Sequence, residues 1–187
     1  MFTFAPLEEV INIRGNRSSL FYFIHLEVFF IEEKINHLLA EKVQEEDFAD
    51  CFLVGTELHK DNKLEVFVDC DNGMSLYKCQ KISRYLEGFI DEENWLGEKY
   101  TLEVSSPDLT RPLKLKRQYL KNIGRSLEIT LTDDTVKTAQ LIEVNEDGIK
   151  IEELIVVKEG KKKKKTLVQT DVPFENIKKT MVVISFK

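Results

Sequence analysis

Pro107 and Pro112, in the stretch YTLEVSSPDLTRPLK (residues 100–114), constrain this chain more than any other feature. Each ring fixes its own φ near −65° and pushes the residue before it, Ser106 or Arg111, toward an extended backbone. A strand running up to Ser105 therefore cannot continue, and no helix can cross the segment. The joint, built from Ser105, Ser106, Pro107 and Pro112, reads as a stiff linker between two domains. Charge changes sign across it. Up to Pro112 there are 11 Lys and Arg against 22 Asp and Glu, net −11; beyond it 16 stand against 11, net +5. Either two surfaces meet partners of opposite charge, a basic protein and a phosphate backbone, or the composition has simply drifted.

The 187 residues suffice for one domain or two small ones. Residues 20–31, LFYFIHLEVFFI, are strongly apolar, but the run is short and carries His25 and Glu27. A spanning helix needs roughly 20 apolar residues, so no membrane segment is expected, and no small-residue cleavage site marks a signal peptide. Residues 1–27 read as an extension, an extra strand or hairpin or a segment upstream of the true start. Cys51, Cys70 and Cys79 are odd in number and unpatterned in spacing, which points to unpaired, buried thiols in a reducing compartment.

Apolar residues at helical spacing predict an amphipathic helix over residues 28–44. Two strands follow, 51–59 and 63–69, joined by Asp61-Asn62 and stopped by Asn72-Gly73. Ser75 caps a second helix, and a third strand ends at the joint. The αββαβ order over residues 28–111 predicts a two-layer α+β domain. In residues 112–187, short alternating β-branched runs separated by Gly, Asn and Asp predict a small, strongly bent sheet or barrel. Lys114, Lys116, Arg117 and Lys121 lie on a helical turn that Gly124 ends. Lys161, Lys162, Lys163, Lys164 and Lys165 read as an exposed hairpin tip, either a solvated loop or a nucleic-acid contact.

Two motifs carry a resemblance. YTLEVSSPDLTRPL is similar to the interdomain signature of the ribosome maturation factor RimP family, which typically reads LEVSSPG, then Leu-Asp, then Arg-Pro-Leu. VFVDCDNGMSLYKCQKISRYLE resembles the same family's strand, D-x-D-x-G turn and helix bearing Cys79, Ser83 and Arg84. The resemblance runs from about Val28 to Lys187. It implies an SH3-like or Sm-like β-barrel in the second domain and a cytoplasmic, non-catalytic, monomeric factor in the maturation of the small (30S) subunit. The implied partners are the free small ribosomal subunit, its protein numbered twelve and ribosomal RNA. Asp108 stands where the family has Gly, a position that would ask for φ > 0, and Thr110 replaces Asp, which would deprive Arg111 of a carboxylate partner.

Catalytic readings fail on spacing. His25, His37 and His59 form no metal-ligand pattern, and Asp69-Cys-Asp71 puts Gly73 one position too early for a calcium loop. Ser105 and Ser106 lack a GxSxG frame, and Ile155 stands where a phosphate loop needs its first Gly. No enzyme, cofactor or metal is expected. The candidate binding residues are Arg111, Lys114, Lys116, Arg117 and lysines 161–165 toward RNA, with Asp69 and Asp71 toward a basic protein. An Sm-like regulatory RNA-binding protein unconnected with the ribosome is the alternative.

Overall fold

A computed structural model of the chain describes residues 17–159 and 162–184. It is an α+β protein with two sheets and, among the described residues, three α-helices. Contacts divide it into two compact units. The first holds the described residues through Phe67 together with Ser75–Ser105; the second holds Val68–Met74 and the described residues from Ser106 onward.

In the first unit, α1 (Arg17–Lys42) is one continuous helix, which corrects the expectation of a strand or hairpin before residue 28. The aromatic and β-branched run of residues 20–31 favours strand locally, but no Gly or Pro interrupts residues 17–42. A helix nucleated at its strongly patterned end extends more cheaply than a new element starts. Residues 1–16 of the expected extension lie outside the described residues. Ile35, Leu38 and Leu39 of α1 are buried, and the helix packs on β1 (Cys51–Leu58) and α2 (Leu76–Glu93). Strand β2 (Lys63–Cys70) follows β1 through a tight turn in which Asn62 takes φ 59° and His59 N donates to Lys63 O at 2.8 Å.

Ser75 caps α2 by accepting from Lys78 N at 3.2 Å, and Ile82, Leu86 and Ile90, four residues apart, form its buried stripe. The helix runs through Gly88 and ends at Asn94 in the left-handed region. It crosses over to β3 (Thr101–Ser105), which pairs with β2 in parallel, Lys63 opposite Thr101 and Phe67 opposite Ser105. Cys79 of α2 is a free, half-buried thiol whose pKa burial raises. Cys51 and Cys70 are disulfide-bonded, against the expectation of three unpaired thiols. Spacing along a chain does not disclose which strand ends become neighbours.

The second unit contains α3 (Lys116–Lys121) and five antiparallel strands: β4 (Ser126–Leu131), β5 (Val136–Val144), β6 (Gly148–Glu159), β7 (Lys162–Pro173) and β8 (Ile177–Val182). Their order is β7-β6-β5-β4-β8, an open sheet rather than a closed barrel. Register shifts at Thr130/Leu131 and Leu141/Glu143 bend it. Leu127, Ile129, Leu141, Ile149 and Ile151 are wholly buried, and the Tyr119 ring packs among them. At the β5–β6 turn, Asn145 Oδ1 accepts from Asp147 N and Gly148 N. A Cβ on Gly148 would lie 2.4 Å from Val172 O, so only glycine lets β6 start there.

Candidate functional site

The segment after the joint is held to the second unit by its backbone. Leu113 N donates to Thr180 O of β8 at 2.9 Å, and α3 starts three residues later. Gln118, nearly fully buried, turns its Oε1 back to accept from Lys114 N at 2.8 Å and Leu115 N at 3.0 Å, satisfying donors at the helix start. Asn122 Nδ2 donates to Gln118 O at 2.7 Å.

Two of the acidic candidates fix this helix from the Val68–Met74 segment of the same unit. Asp69 is almost fully buried and accepts from Cys70 N at 2.9 Å and from Lys121 Nζ at 2.6 Å; the same ammonium reaches Cys70 O at 3.1 Å. Asp71 takes Arg117 in a forked contact, Nε at 3.2 Å and Nη2 at 2.5 Å. The two carboxylates thus orient the basic residues of α3.

At the joint, Ser105 is the last residue of β3, and Ser106 begins the second unit. Asp108 is not among the positive-φ residues, so the strain expected there is absent. Its carboxylate instead accepts from Thr110 N at 2.7 Å and from the Thr110 hydroxyl, which hold it below the usual carboxylate range. Arg111 has not lost its acidic neighbour: its Nε lies 3.8 Å from Asp108 Oδ2, and its N–H donates to Asp108 O at 3.1 Å. The Asp at the family's Gly position supplies the carboxylate that Thr110 no longer can.

Lys114 and Lys116 come together with Lys178 and Lys179 of β8 around a cavity of about 340 Å³. Lys178 pairs with Asp134 at 2.5 Å, whereas Lys114, Lys116 and Lys179 make no ion pair among the described residues. Glu146 is the acidic residue on this rim. Lys178 and Lys179 were not singled out from sequence, although two adjacent lysines entering a strand beside a buried Thr were a usable signal.

The lysine run is placed differently from the expectation. Lys162–Lys165 belong to β7 itself, Lys162 opposite Glu159 and Lys165 opposite Val156, so they line a strand rather than a loop; Lys161 lies outside the described residues. Beyond Glu152, β6 pairs with β7 and no longer with β5, leaving a two-stranded arm. Leu154 and Leu167, opposite each other on it, are exposed.

Elsewhere, Glu57, His59 and Glu65 bring donor atoms within 4.8 Å of one another in the first unit. Lys63 Nζ already joins Glu65 at 2.5 Å and Glu103 at 2.8 Å, and His59 Nε2 lies 3.2 Å from Glu65. The Glu65 carboxyl is held low by its Lys63 and His59 contacts. This is a charge-compensated stripe on the sheet. No helix among the described residues is long and apolar enough to cross a membrane.

Residues 39–110 match the family model described as RimP N-terminal domain. Curated proteins named ribosome maturation factor RimP are similar along most of the chain. That of Cytophaga hutchinsonii is 34% identical over 165 residues, covering 83% of this chain and 98% of the relative. That of Flavobacterium psychrophilum is 34% identical over 157 residues, with the same coverage of each. That of Porphyromonas gingivalis is 36% identical over 131 residues, 66% of this chain and 84% of the relative.

Proposed function

The chain belongs to the ribosome maturation factor RimP family, and from that premise we propose that it acts as a non-catalytic binding factor on the free small ribosomal subunit in the cytoplasm. Its role is ribosome maturation. The observation that supports the RNA-facing part of the reading is the convergence of Lys114, Lys116 and Lys179, none with an acidic partner among the described residues, on one face of the second unit. Lysines that spend no charge inside the protein release counterions when they meet phosphate. Arg117, held by Asp71, and Arg111, beside Asp108, add positive charge to the same unit. Lys162–Lys165 of β7 add further positive charge to this unit.

The protein numbered twelve of the small subunit is assigned to the acidic first unit by charge complementarity. Asp69 and Asp71 contribute by anchoring α3, since both are committed to its cations. In this reading the SH3-like module that the family resemblance implies is built on the five-stranded open sheet of the second unit, and the chain acts as a monomer.

Sucrose-gradient sedimentation of a lysate at low and moderate salt tests the reading. The protein is expected with the free small subunit at low salt and at the top of the gradient when salt rises. Alanine at positions 162–165 should weaken that association and flatten its salt dependence. Sedimentation at the top under both conditions would refute the reading, and an unchanged salt slope would remove the β7 lysines from the RNA contact.

A further inference from the structure

The lysine-rimmed cavity has a floor unsuited to a plain phosphate site. Beneath the ammonium groups lie Leu113, Ile177 and the rings of Tyr119 and Phe174, the latter two edge to face with centroids 5.4 Å apart at 67°. Phe174 is only half-buried and lines the cavity. Thr180 closes the lining from behind as a fully buried residue.

Cations at the rim and an aromatic and aliphatic floor together match a group that is anionic at one end and flat and apolar-faced at the other. We propose that this cavity receives one unstacked nucleotide of single-stranded RNA, its base against Phe174 and its phosphates at Lys114, Lys116 and Lys179. The volume lies within the range of small-ligand sites. A duplex hides its base faces in the stack and presents only phosphate, so it reaches the rim but not the floor. An acidic peptide segment satisfies the lysines but leaves the ring face without a planar partner. Glu146 sets the limit of the phosphate-binding edge, because a second anion beside it would be repelled. The inference rests on the RNA-facing reading of this unit and narrows it to unpaired nucleotides.

Fluorescence anisotropy with the full-length protein and a labelled short oligoribonucleotide, single-stranded or annealed to its complement, tests it. The single strand should bind more tightly than the duplex. Phe174→Leu, which keeps apolar volume but removes the ring, should weaken single-strand binding at least about fivefold and leave duplex binding unchanged. The surface pair Lys116→Ala with Lys179→Ala, which leaves the core intact, should weaken both and reduce the salt slope by about 0.7 per lost single-strand contact. Equal affinity for both forms, no effect of Phe174→Leu, or tighter binding of a labelled polyglutamate peptide would overturn the proposal. Gradient sedimentation of the same variants separates the two levels of reading. If the wild type travels with the small subunit but shows no single-strand preference, the nucleotide site alone falls; if it does not travel with the subunit, the RNA-facing reading falls too.

Discussion

Replacing Lys121 by methionine should loosen the helix that carries the basic residues. Asp69 is 11% exposed at its side chain and Lys121 32%. The ammonium makes two contacts, 2.6 Å to the Asp69 carboxylate and 3.1 Å to Cys70 O. With methionine there, the carboxylate keeps only the Cys70 N–H at 2.9 Å and stays buried. Breaking a fully buried pair costs about 3–5 kcal/mol, and an exposed one about 0–1. One partner here is buried and the other one-third exposed, which places Lys121→Met at about 1.5–3 kcal/mol. Asp69→Asn removes the stranded charge, so the double variant should recover part of the loss, with a coupling of about 1–2 kcal/mol. Urea titration followed by circular dichroism, run on the wild type, both single variants and the double, measures each corner of the cycle. Additivity within about 0.5 kcal/mol would refute the reasoning, because it would mean that solvent already screens the pair.

Gly148→Ala should destabilise the second unit by about 1–3 kcal/mol, since the added carbon meets backbone at 2.4 Å, and thermal unfolding would register it. Leu141→Ala, at a fully buried position of the central strand β5, should cost about 2–5 kcal/mol in the same measurement. Ser75→Ala should cost about 1 kcal/mol by removing the hydroxyl that caps α2, visible in urea titration. Asp108 has a depressed folded-state pKa, so the turn it forms is fully supported above the ordinary carboxylate value and loses that support as pH falls through the lower, folded value. The Thr110 amide resonance should therefore titrate with a midpoint below 3.8; a midpoint at or above it would contradict the hydrogen bonds described.

Local signals were legible where local physics decides. Ser75 before an apolar stripe marked the start of α2, and Asp61-Asn62 marked the β1–β2 turn because Asn accepts a positive φ. The end of β3 at Ser105 was legible because proline acts through its own ring. Elements governed by more distant partners were not. The lysine run looks hostile to strand formation when read alone, yet β6 supplies a full set of backbone partners, so β7 runs straight through it. The start of α1 was misread for the opposite reason, since its strand-favouring residues are overruled by a helix already under way. At the site, Lys114 and Lys116 announced themselves by charge, whereas Phe174, Thr180, Lys178 and Lys179 belong to it only through the return of β8 beside Leu113. The pairing of Asp69 and Asp71 with α3 joins residues some 50 positions apart, as the separations of 52 and 46 show, and nothing in either segment alone specifies it.

The two-stranded arm formed by the far halves of β6 and β7 has a kinetic consequence. Each of these strands is 12 residues long, about 40 Å when extended, and only the part of β6 up to Glu152 has a second neighbour. A ribbon of two strands is marginally stable in water by itself. Its outer portion therefore belongs to the least protected part of the fold, opening and closing far more often than the sheet at its root. A partner that grips this portion must supply the ordering entropy at the moment of contact, which holds affinity down and speeds departure. If the arm takes part in the contact with the small subunit proposed above, its weak hold sets a short residence time without any change in the rest of the molecule.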